Sequence, residues 1–246
     1  MSVTTSRGTT AIRGDRTGRS GRVASGLAIA LGCVMFLGGF AWAGLVYRPY
    51  TVPTESMRPT VMPGDKVLAQ KVSGSQVHRG DVVVFKDPLW GNEPLVKRVV
   101  AVGGDVVACC DRQGRLTVDG VPVEETYLQG HGRSAQEAFK ATVAKGELFM
   151  LGDDRSVSED SRVHLEDAEG GAVPVGDVKG RVDATAWPLG RMGMLPTTSA
   201  FDALPGGGQS PQGPLRWITF LIVAGAALIL GGAAYEPVAK ALRRRR

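Results

Sequence analysis

The segment at residues 53–60 carries a serine that could act as a nucleophile. Ser56 lies between Pro53 and Pro59, and prolines on both sides disfavour a helix and keep the chain extended or turned. In an extended chain, every second residue before Ser56 would share its face. These residues are Thr54, Val52 and Tyr50. The pattern predicts two hydroxyl groups beside an apolar groove, although composition alone would favour a Ser/Thr/Pro spacer.

A nucleophilic serine needs a general base, and the best candidate in this chain is Lys97. The histidines all lie in polar or charged stretches: His78, His131 and His164. A serine–lysine pair is a recognised alternative, but its lysine must be neutral and therefore desolvated. In a strand over residues 95–102, Lys97 would share a face with apolar side chains: Leu95, Val99 and Ala101. Burial there would lower its pKa, whereas an ordinary strand lysine would extend to solvent.

A third polar segment, residues 152–162, follows the strand-like run at 148–151. Its aspartate, arginine and serine side chains can satisfy one another's hydrogen bonds and hold a neighbouring site rigid. Taken alone, the segment would equally fit a calcium loop or a solvated turn. It lacks the regular carboxylate spacing around a glycine that an EF-hand loop requires, so we predict no metal site.

Two uncharged apolar runs, residues 23–47 and 217–235, are long enough to cross a bilayer as helices. Aromatic residues stand at or near their ends, as at a membrane interface: Trp42, Tyr47, Trp217 and Tyr235. The main alternative for the first run is a cleaved signal peptide, but the run exceeds the usual length of that apolar region. The second run could be a buried helix, although a basic tail follows it.

The formal net charge of +5 comes largely from clusters that border these runs. The clusters are Arg7, Arg13, Arg16, Arg19 and Arg22, and Lys240 with Arg243, Arg244, Arg245 and Arg246. Such clusters indicate a membrane protein, and no basic patch interleaved with aromatic residues suggests a nucleic-acid partner. The positive-inside rule predicts that both termini are cytoplasmic and that the chain between the runs works outside.

Between the apolar runs, Gly-Asp pairs precede short Val-rich strings, as at the corners of β-hairpins. The sequence therefore predicts a mainly β protein, with an antiparallel β-rich catalytic domain flanked by two transmembrane α-helices. Residues 130–145 are polar and mixed, and we expect a loop or short helix there. The predicted parts are a disordered cytoplasmic tail (1–22), a transmembrane helix (23–47), the extracytoplasmic domain (48–198), a Gly/Pro linker (199–216), a transmembrane helix (217–235) and a basic cytoplasmic tail (236–246).

The three polar segments, in this order and behind a membrane span, resemble the type I signal peptidases. The matching boxes are residues 56–60, 97–105 and 152–162, and the likeness covers residues 47–189. The additional C-terminal span resembles enzymes of Gram-positive, particularly actinobacterial, sources. The resemblance implies a membrane-bound serine endopeptidase that cleaves signal peptides from exported preproteins after small residues, without a cofactor.

The resemblance also implies a role for each residue in these boxes. Ser56 would be the acylated nucleophile and Lys97 its general base. Ser158 would orient the lysine, and Thr54 would supply a hydroxyl of the oxyanion hole. The supporting charged residues would be Asp153, Asp160 and Arg162. The residues lining two shallow pockets for small side chains would be Tyr50, Val52, Leu95 and Val96.

The chain departs from the family pattern in two places. The family usually has asparagine at the position of Asp154, and an aromatic-Gly element where this chain has residues 163–166. Adjacent Cys109 and Cys110 match no family element, and we expect two ordinary small strand residues.

The expected partners are preprotein signal peptides, the lipid bilayer and, by proximity, the export machinery, at the plasma membrane. Apolar tips at residues 89–90 and 187–189 are expected to dip into the lipid interface, with core packing as the alternative for Trp187. Trp90 lies in a Pro/Gly/Asn loop, which favours exposure. Two other functions remain open: a self-processing Ser-Lys protease and a non-catalytic membrane-anchored envelope scaffold.

Overall fold

The computed structural model describes residues 16–91, 93–128 and 138–244. These residues divide into two compact units. A helical unit combines the N-terminal part of the chain, up to Ala43, with the C-terminal part from Arg216. A β-rich unit comprises Gly44–Leu215.

The helical unit is built from two long helices, α1 (Arg16–Val46) and α2 (Leu215–Arg244). Their apolar segments, Gly21–Val46 and Leu215–Ala239, are long and apolar enough to cross a membrane. A Cβ atom on Gly32 would lie 2.8 Å from the carbonyl oxygen of Gly225, so small residues let the two backbones approach closely.

Both helices extend beyond the boundaries that hydropathy suggests. The first begins at Arg16, within the segment predicted as a tail, and the second continues through Pro237 to Arg244. A helix needs no apolar residues to continue, so hydropathy marks the apolar part of each helix and not its end. Residues 1–15 and 245–246 of the predicted tails lie outside the described residues.

The β-rich unit contains two antiparallel sheets, as the Gly-Asp and Val-rich pattern predicts. The larger sheet has the strand order β1-β2-β11-β3-β4-β9-β10, with β12 on β11, and the smaller has the order β7-β6-β5-β8. The strands are β1 (Tyr47–Thr51), β2 (Lys66–Gln70), β3 (Val82–Phe85), β4 (Leu95–Val102), β5 (Val106–Cys109), β6 (Leu116–Val118), β7 (Val121–Pro122), β8 (Phe139–Thr142), β9 (Glu147–Leu151), β10 (Val173–Pro174), β11 (Val178–Trp187) and β12 (Gly193–Met194). The prediction of a mainly β protein with two long apolar helices is confirmed.

Strand β4 lies inside the larger sheet, between β3 and β9. Its Lys97 faces Val83 of β3 in the register, and its Arg98 lies between Val82 of β3 and Leu151 of β9. Both neighbouring strands are buried along nearly their whole length. The sheet therefore carries two adjacent cationic side chains into the interior.

The predicted Gly/Pro linker is packed onto the β-rich unit. Phe201 and Leu204 are buried in one of its hydrophobic clusters. The Ser210 hydroxyl donates a hydrogen bond of 2.6 Å to the Asp81 carboxylate, and its backbone N–H donates another of 3.0 Å. Composition correctly indicates turns in this segment. Its position on the β-rich unit is fixed by the buried side chains of Phe201 and Leu204 and by the hydrogen bonds to Asp81.

Part of the segment predicted as a loop or short helix is a strand. Residues 139–142 form β8, which pairs with β5, and residues 129–137 lie outside the described part of the chain. The side chains of β8 alternate between half-buried and exposed, and Phe139 stacks on Phe149 with a ring-centroid distance of 5.7 Å. The sequence of an edge strand with one solvated face contains many polar residues. The prediction of a loop or short helix was therefore wrong for residues 139–142.

The expectation of two ordinary cysteines at the end of β5 is wrong. Their sulfur atoms are bonded to each other, across a cis peptide bond between Cys109 and Cys110. Cys109 is buried, whereas Cys110 is exposed just after the strand. The pair therefore terminates β5 as a local cross-link between neighbouring residues.

One carboxylate ties together the two ends of the β-rich unit. The Tyr47 hydroxyl donates a hydrogen bond of 2.7 Å to Asp183 Oδ2, and the Gly213 N–H donates one of 3.1 Å to the same oxygen. Asp183 itself is buried in β11 and also accepts a hydrogen bond from Arg181.

Candidate active site

Ser56 lies in a turn that follows β1. The strand ends at Thr51, so the extended face expected for Tyr50, Thr54 and Ser56 is not formed. The turn instead brings the Thr54 Oγ1 and Ser56 Oγ atoms to 3.0 Å. Ser56 is 5% exposed, and the fully buried side chain of Met57 anchors the turn beneath it.

The backbone of Ser56 is held by the segment at residues 152–154. The Asp154 N–H donates a hydrogen bond of 3.0 Å to the Ser56 carbonyl oxygen. Any Cβ atom on Gly152 would overlap both the Ser158 hydroxyl and the Ser56 carbonyl. Glycine is therefore required at 152, because two segments that are distant in sequence meet at its α-carbon.

Lys97 is buried within β4, with 3% of its surface exposed. Its Nζ donates a hydrogen bond of 3.1 Å to the Ser158 hydroxyl. Burial lowers the pKa of Lys97 to about 8. The nearby negative charge of Asp160 acts in the opposite direction, but its effect is smaller than that of burial. The lysine is therefore substantially neutral at mildly alkaline pH, as a proton acceptor must be.

The apolar face expected around Lys97 is only partly continuous. A register shift between Val99 and Ala101 interrupts the pairing of β4 with β9. Leu95 and Val99 pack in one hydrophobic cluster, and Ala101 packs in another. The lysine is nevertheless buried, as strand alternation predicts.

Asp160 and Arg162 form an ion pair on the same loop. Arg162 Nε lies 2.8 Å from Asp160 Oδ1, and the second carboxylate oxygen accepts a hydrogen bond of 3.0 Å from the Gly152 N–H. The guanidinium also donates to the carbonyl oxygen of Ser158 at 3.4 Å. The pair therefore fixes the glycine and the serine that contact the two candidate reactive residues.

Asp153 is held by Arg98, which sequence reasoning did not single out. Arg98 is 1% exposed and contacts both carboxylate oxygens of Asp153, at 2.8 and 2.7 Å. The Thr60 hydroxyl donates a 2.5 Å hydrogen bond to Asp153, and the Arg98 guanidinium lies 4.1 Å from the centroid of the Tyr127 ring. Arg98 directly follows Lys97, so its side chain lies on the opposite face of β4. That position is the sequence signal from which its burial could have been predicted.

A second buried ion pair, Arg155 with Glu125, was also missed. Arg155 donates a hydrogen bond of 2.9 Å from Nε to the Gly152 carbonyl oxygen. Its other nitrogens contact the Glu125 carboxylate, which also accepts a 2.6 Å hydrogen bond from the Tyr127 hydroxyl. Nothing local to residue 125 indicates this contact, because its partner is distant in sequence.

A cleft of about 230 Å³ brings the candidate reactive residues together. Its lining residues are Thr54, Ser56, Trp90, Leu95, Lys97, Val157, Glu159 and His164. Of the four residues expected to form shallow pockets, Leu95 lines this cleft. The other three pack in one neighbouring cluster: Tyr50, Val52 and Val96.

Trp90 does not have the exposed position that its loop suggested. Its ring stacks on His164 with a centroid distance of 4.3 Å and meets the Phe85 ring edge-on at 5.3 Å. Trp187 and Leu189 differ, since their exposed fractions are 52% and 67%. Of the two tryptophans predicted to enter the lipid interface, Trp187 is therefore exposed and Trp90 is not.

The chemistry that this arrangement supports is nucleophilic. In the part of the chain that the structure describes, no group of three or more His, Cys, Asp or Glu side chains is placed to hold a metal ion. The Ser56 hydroxyl, the buried Lys97 amine and the Thr54 hydroxyl line one cleft. Acyl transfer needs groups of these kinds: a nucleophile, a base and a hydrogen-bond donor.

Residues 22–187 match the family model for signal peptidases, peptidase S26. A probable signal peptidase I of Mycobacterium leprae is 32% identical, over 60% of this chain and 71% of the relative. A signal peptidase I of Mycobacterium tuberculosis is 33% identical, over 61% of this chain and 68% of the relative. A solved signal peptidase I from Enterococcus faecalis is 27% identical, covers 42% of this chain and 93% of its own, and has a TM-score of 0.35.

Proposed function

Since the chain belongs to the signal peptidase family, peptidase S26, we propose that it cleaves signal peptides from exported preproteins with a Ser56–Lys97 dyad. Membership of this family makes the protein a serine peptidase of the signal peptidase I kind. The observation that carries the dyad is the burial of Lys97 in the cleft that also contains Ser56. Among the described residues, no carboxylate is in hydrogen-bond contact with the Lys97 amine. Burying such a cation is costly, so the lysine favours its neutral form.

In the first half of the reaction, neutral Lys97 accepts the proton of the Ser56 hydroxyl while the serine oxygen attacks the scissile carbonyl carbon. A neutral amine has one lone pair and two N–H donors, and donation to Ser158 leaves the lone pair for Ser56. The tetrahedral intermediate collapses to an acyl-enzyme as Lys97 returns the proton to the departing amine. Water then attacks the ester, with Lys97 again accepting and returning the proton.

The oxyanion of each tetrahedral intermediate needs hydrogen-bond donors. The Thr54 hydroxyl, 3.0 Å from Ser56 Oγ in the free protein, is positioned to supply one, and the Ser56 N–H supplies another. A donor of this kind contributes roughly 2.7–4 kcal/mol to transition-state stabilisation in serine proteases. The ion pairs around Gly152 hold both serines in place for this chemistry.

The substrate is proposed to bind as an added strand. In the described chain, β1 pairs with β2 alone and lies at the edge of the larger sheet, so an extended cleavage segment can pair alongside it. Tyr50, Val52, Leu95 and Val96 then provide the pockets that select small side chains before the cut. Leu95 lines the cleft, and the other three pack in one hydrophobic cluster.

The function is tested with the full-length protein in detergent micelles and a precursor that carries an alanine-terminated signal peptide. We expect a single cut, and sequencing the new N-terminus of the product identifies it. A precursor that stays intact under conditions where the protein is folded would overturn the proposal. Cleavage of a separate precursor also excludes a purely self-processing protease, and family membership argues against the scaffold.

The rate of cleavage is expected to depend on pH through Lys97. Burial lowers the pKa of this lysine to about 8, and only its neutral form accepts a proton. The value of kcat/KM should therefore rise from pH 6 to pH 9, with its half-maximum near the pKa of the lysine. A profile measured in micelles that is flat across this interval would contradict the role of Lys97.

The proposed location is the plasma membrane, with both termini cytoplasmic and the β-rich unit outside, next to the lipid and the export machinery. The two apolar helices and the basic residues beyond them support this topology. Protease added to intact cells is expected to digest the β-rich unit and to leave an epitope on either terminus uncut. Digestion of the terminal epitopes would refute the orientation.

A further inference from the structure

Glu159 is an acidic side chain in the catalytic cleft that the mechanism does not use. It is exposed, and among the described residues it has no hydrogen-bond or ion-pair partner. Its neighbours on the loop differ: Ser158 accepts the hydrogen bond of Lys97, and Asp160 is paired with Arg162. An unpaired carboxylate is therefore presented directly beside the reacting groups.

Two aromatic rings line the same cleft. Trp90 and His164 stack with a centroid distance of 4.3 Å and an interplanar angle of 14°. The Phe85 ring supports Trp90 from one edge, and the Asp167 carboxylate lies 2.7 Å from Nδ1 of His164. The stack is thus held from both sides, and both of its rings line the cleft.

The charges around the cleft leave the negative charge of Glu159 uncompensated during the reaction. Lys97 is the one lysine or arginine among the lining residues that the structure describes, and it must be neutral to act. The other ionisable nitrogen there belongs to His164, which lies 2.7 Å from the Asp167 carboxylate. Arg162 lies next to the cleft but is bound to Asp160. Glu159 lines the same cleft as Ser56 and Lys97, and its charge opposes the lowering of the Lys97 pKa by burial.

We propose that Glu159, together with the Trp90–His164 stack, forms a subsite for a basic side chain of the substrate, lysine or arginine, close to the scissile bond. The inference rests on the proposed function and adds a substrate preference to it. A long basic side chain can place its charge against the carboxylate and its alkyl stem along the rings. Because the carboxylate is exposed, the preference is modest, about fivefold in kcat/KM.

The test uses the full-length protein in detergent micelles and a set of matched precursor peptides. Each peptide keeps a small residue directly before the cut and carries lysine, glutamine or glutamate at one nearby position, from two residues before the cut to three after it. We expect one position at which lysine is preferred to glutamate by about fivefold or more. The variant Glu159→Gln should lose this preference, which is measured as the ratio of kcat/KM on the lysine and glutamate peptides at one pH, because removal of the carboxylate also changes the pKa of Lys97.

Glu166→Gln is the matched control, because Glu166 is also exposed but does not line the cleft. This variant should keep the preference for lysine. Equal rates on all peptides for the wild-type protein, or a preference that survives Glu159→Gln, would overturn the subsite and leave the proposed function standing. No cleavage of any peptide by the folded wild-type protein would instead overturn the proposed function and the subsite with it.

Discussion

Replacing Ser56 by alanine is expected to abolish precursor cleavage, with a fall in kcat of about 10⁴-fold or more. The substitution removes the hydroxyl oxygen that would form the acyl-enzyme in the proposed mechanism, and it should leave the surrounding turn unchanged. Met57 and the hydrogen bond from Asp154 to the Ser56 carbonyl hold the backbone independently of the Ser56 side chain. The measurement is single-turnover cleavage of a labelled precursor in micelles.

Ser75→Ala serves as the control for this loss. Ser75 is an exposed serine of the same unit, and its hydroxyl contacts only Ser73 among the described residues. This variant should cleave at the wild-type rate. Substantial cleavage by the Ser56→Ala variant would show that a different group attacks the peptide bond, and the dyad would have to be abandoned.

The second large effect is expected from Lys97→Arg, which should lower kcat by about 10³-fold or more at every pH. A guanidinium does not lose its proton in this range, so it cannot accept one from Ser56. Raising the pH to 10 should therefore fail to restore cleavage, whereas the wild-type rate is maximal in that region. The measurement is the pH profile of both proteins on the same precursor.

Lys97→Met provides a neutral, less bulky companion to the arginine variant, in case the larger cation disturbs the fold. It should be equally inactive and should unfold at or above the wild-type temperature, because a buried amine is removed. Lys145→Met is the control, since Lys145 is exposed in the turn before β9. If either Lys97 variant kept near wild-type activity while folded, the base would have to be another group.

The antiparallel β-architecture could be predicted because its signals are local. Gly-Asp corners and Val-rich strings each depend on a few adjacent residues, and Gly104 adopts a positive φ of 105° at such a corner. The order of strands could not be predicted in the same way. Strand β11 inserts between β2 and β3, and only contacts between distant segments decide this position.

The same distinction between local signals and contacts of distant segments applies to the candidate site. Ser56 and Lys97 could be proposed as candidates because proline flanks one, apolar residues alternate around the other, and both lie in boxes that resemble the family. The partners that hold them, Arg98 with Asp153 and Arg155 with Glu125, depend on which loops meet around Gly152. The stack of Trp90 on His164 was missed for a similar reason, since a Pro/Gly/Asn loop gives no sign that a distant ring covers it.

The shared contact of Tyr47 and Gly213 with Asp183 has a consequence for how the β-rich unit can be rearranged. Its two ends are held at a single oxygen atom, so they leave the unit from adjacent points. A unit with neighbouring ends can be joined head to tail and reopened at a surface turn, such as the one between β5 and β6, with little disturbance of its core. The unit is therefore suited to circular permutation and to insertion into a surface loop of another protein.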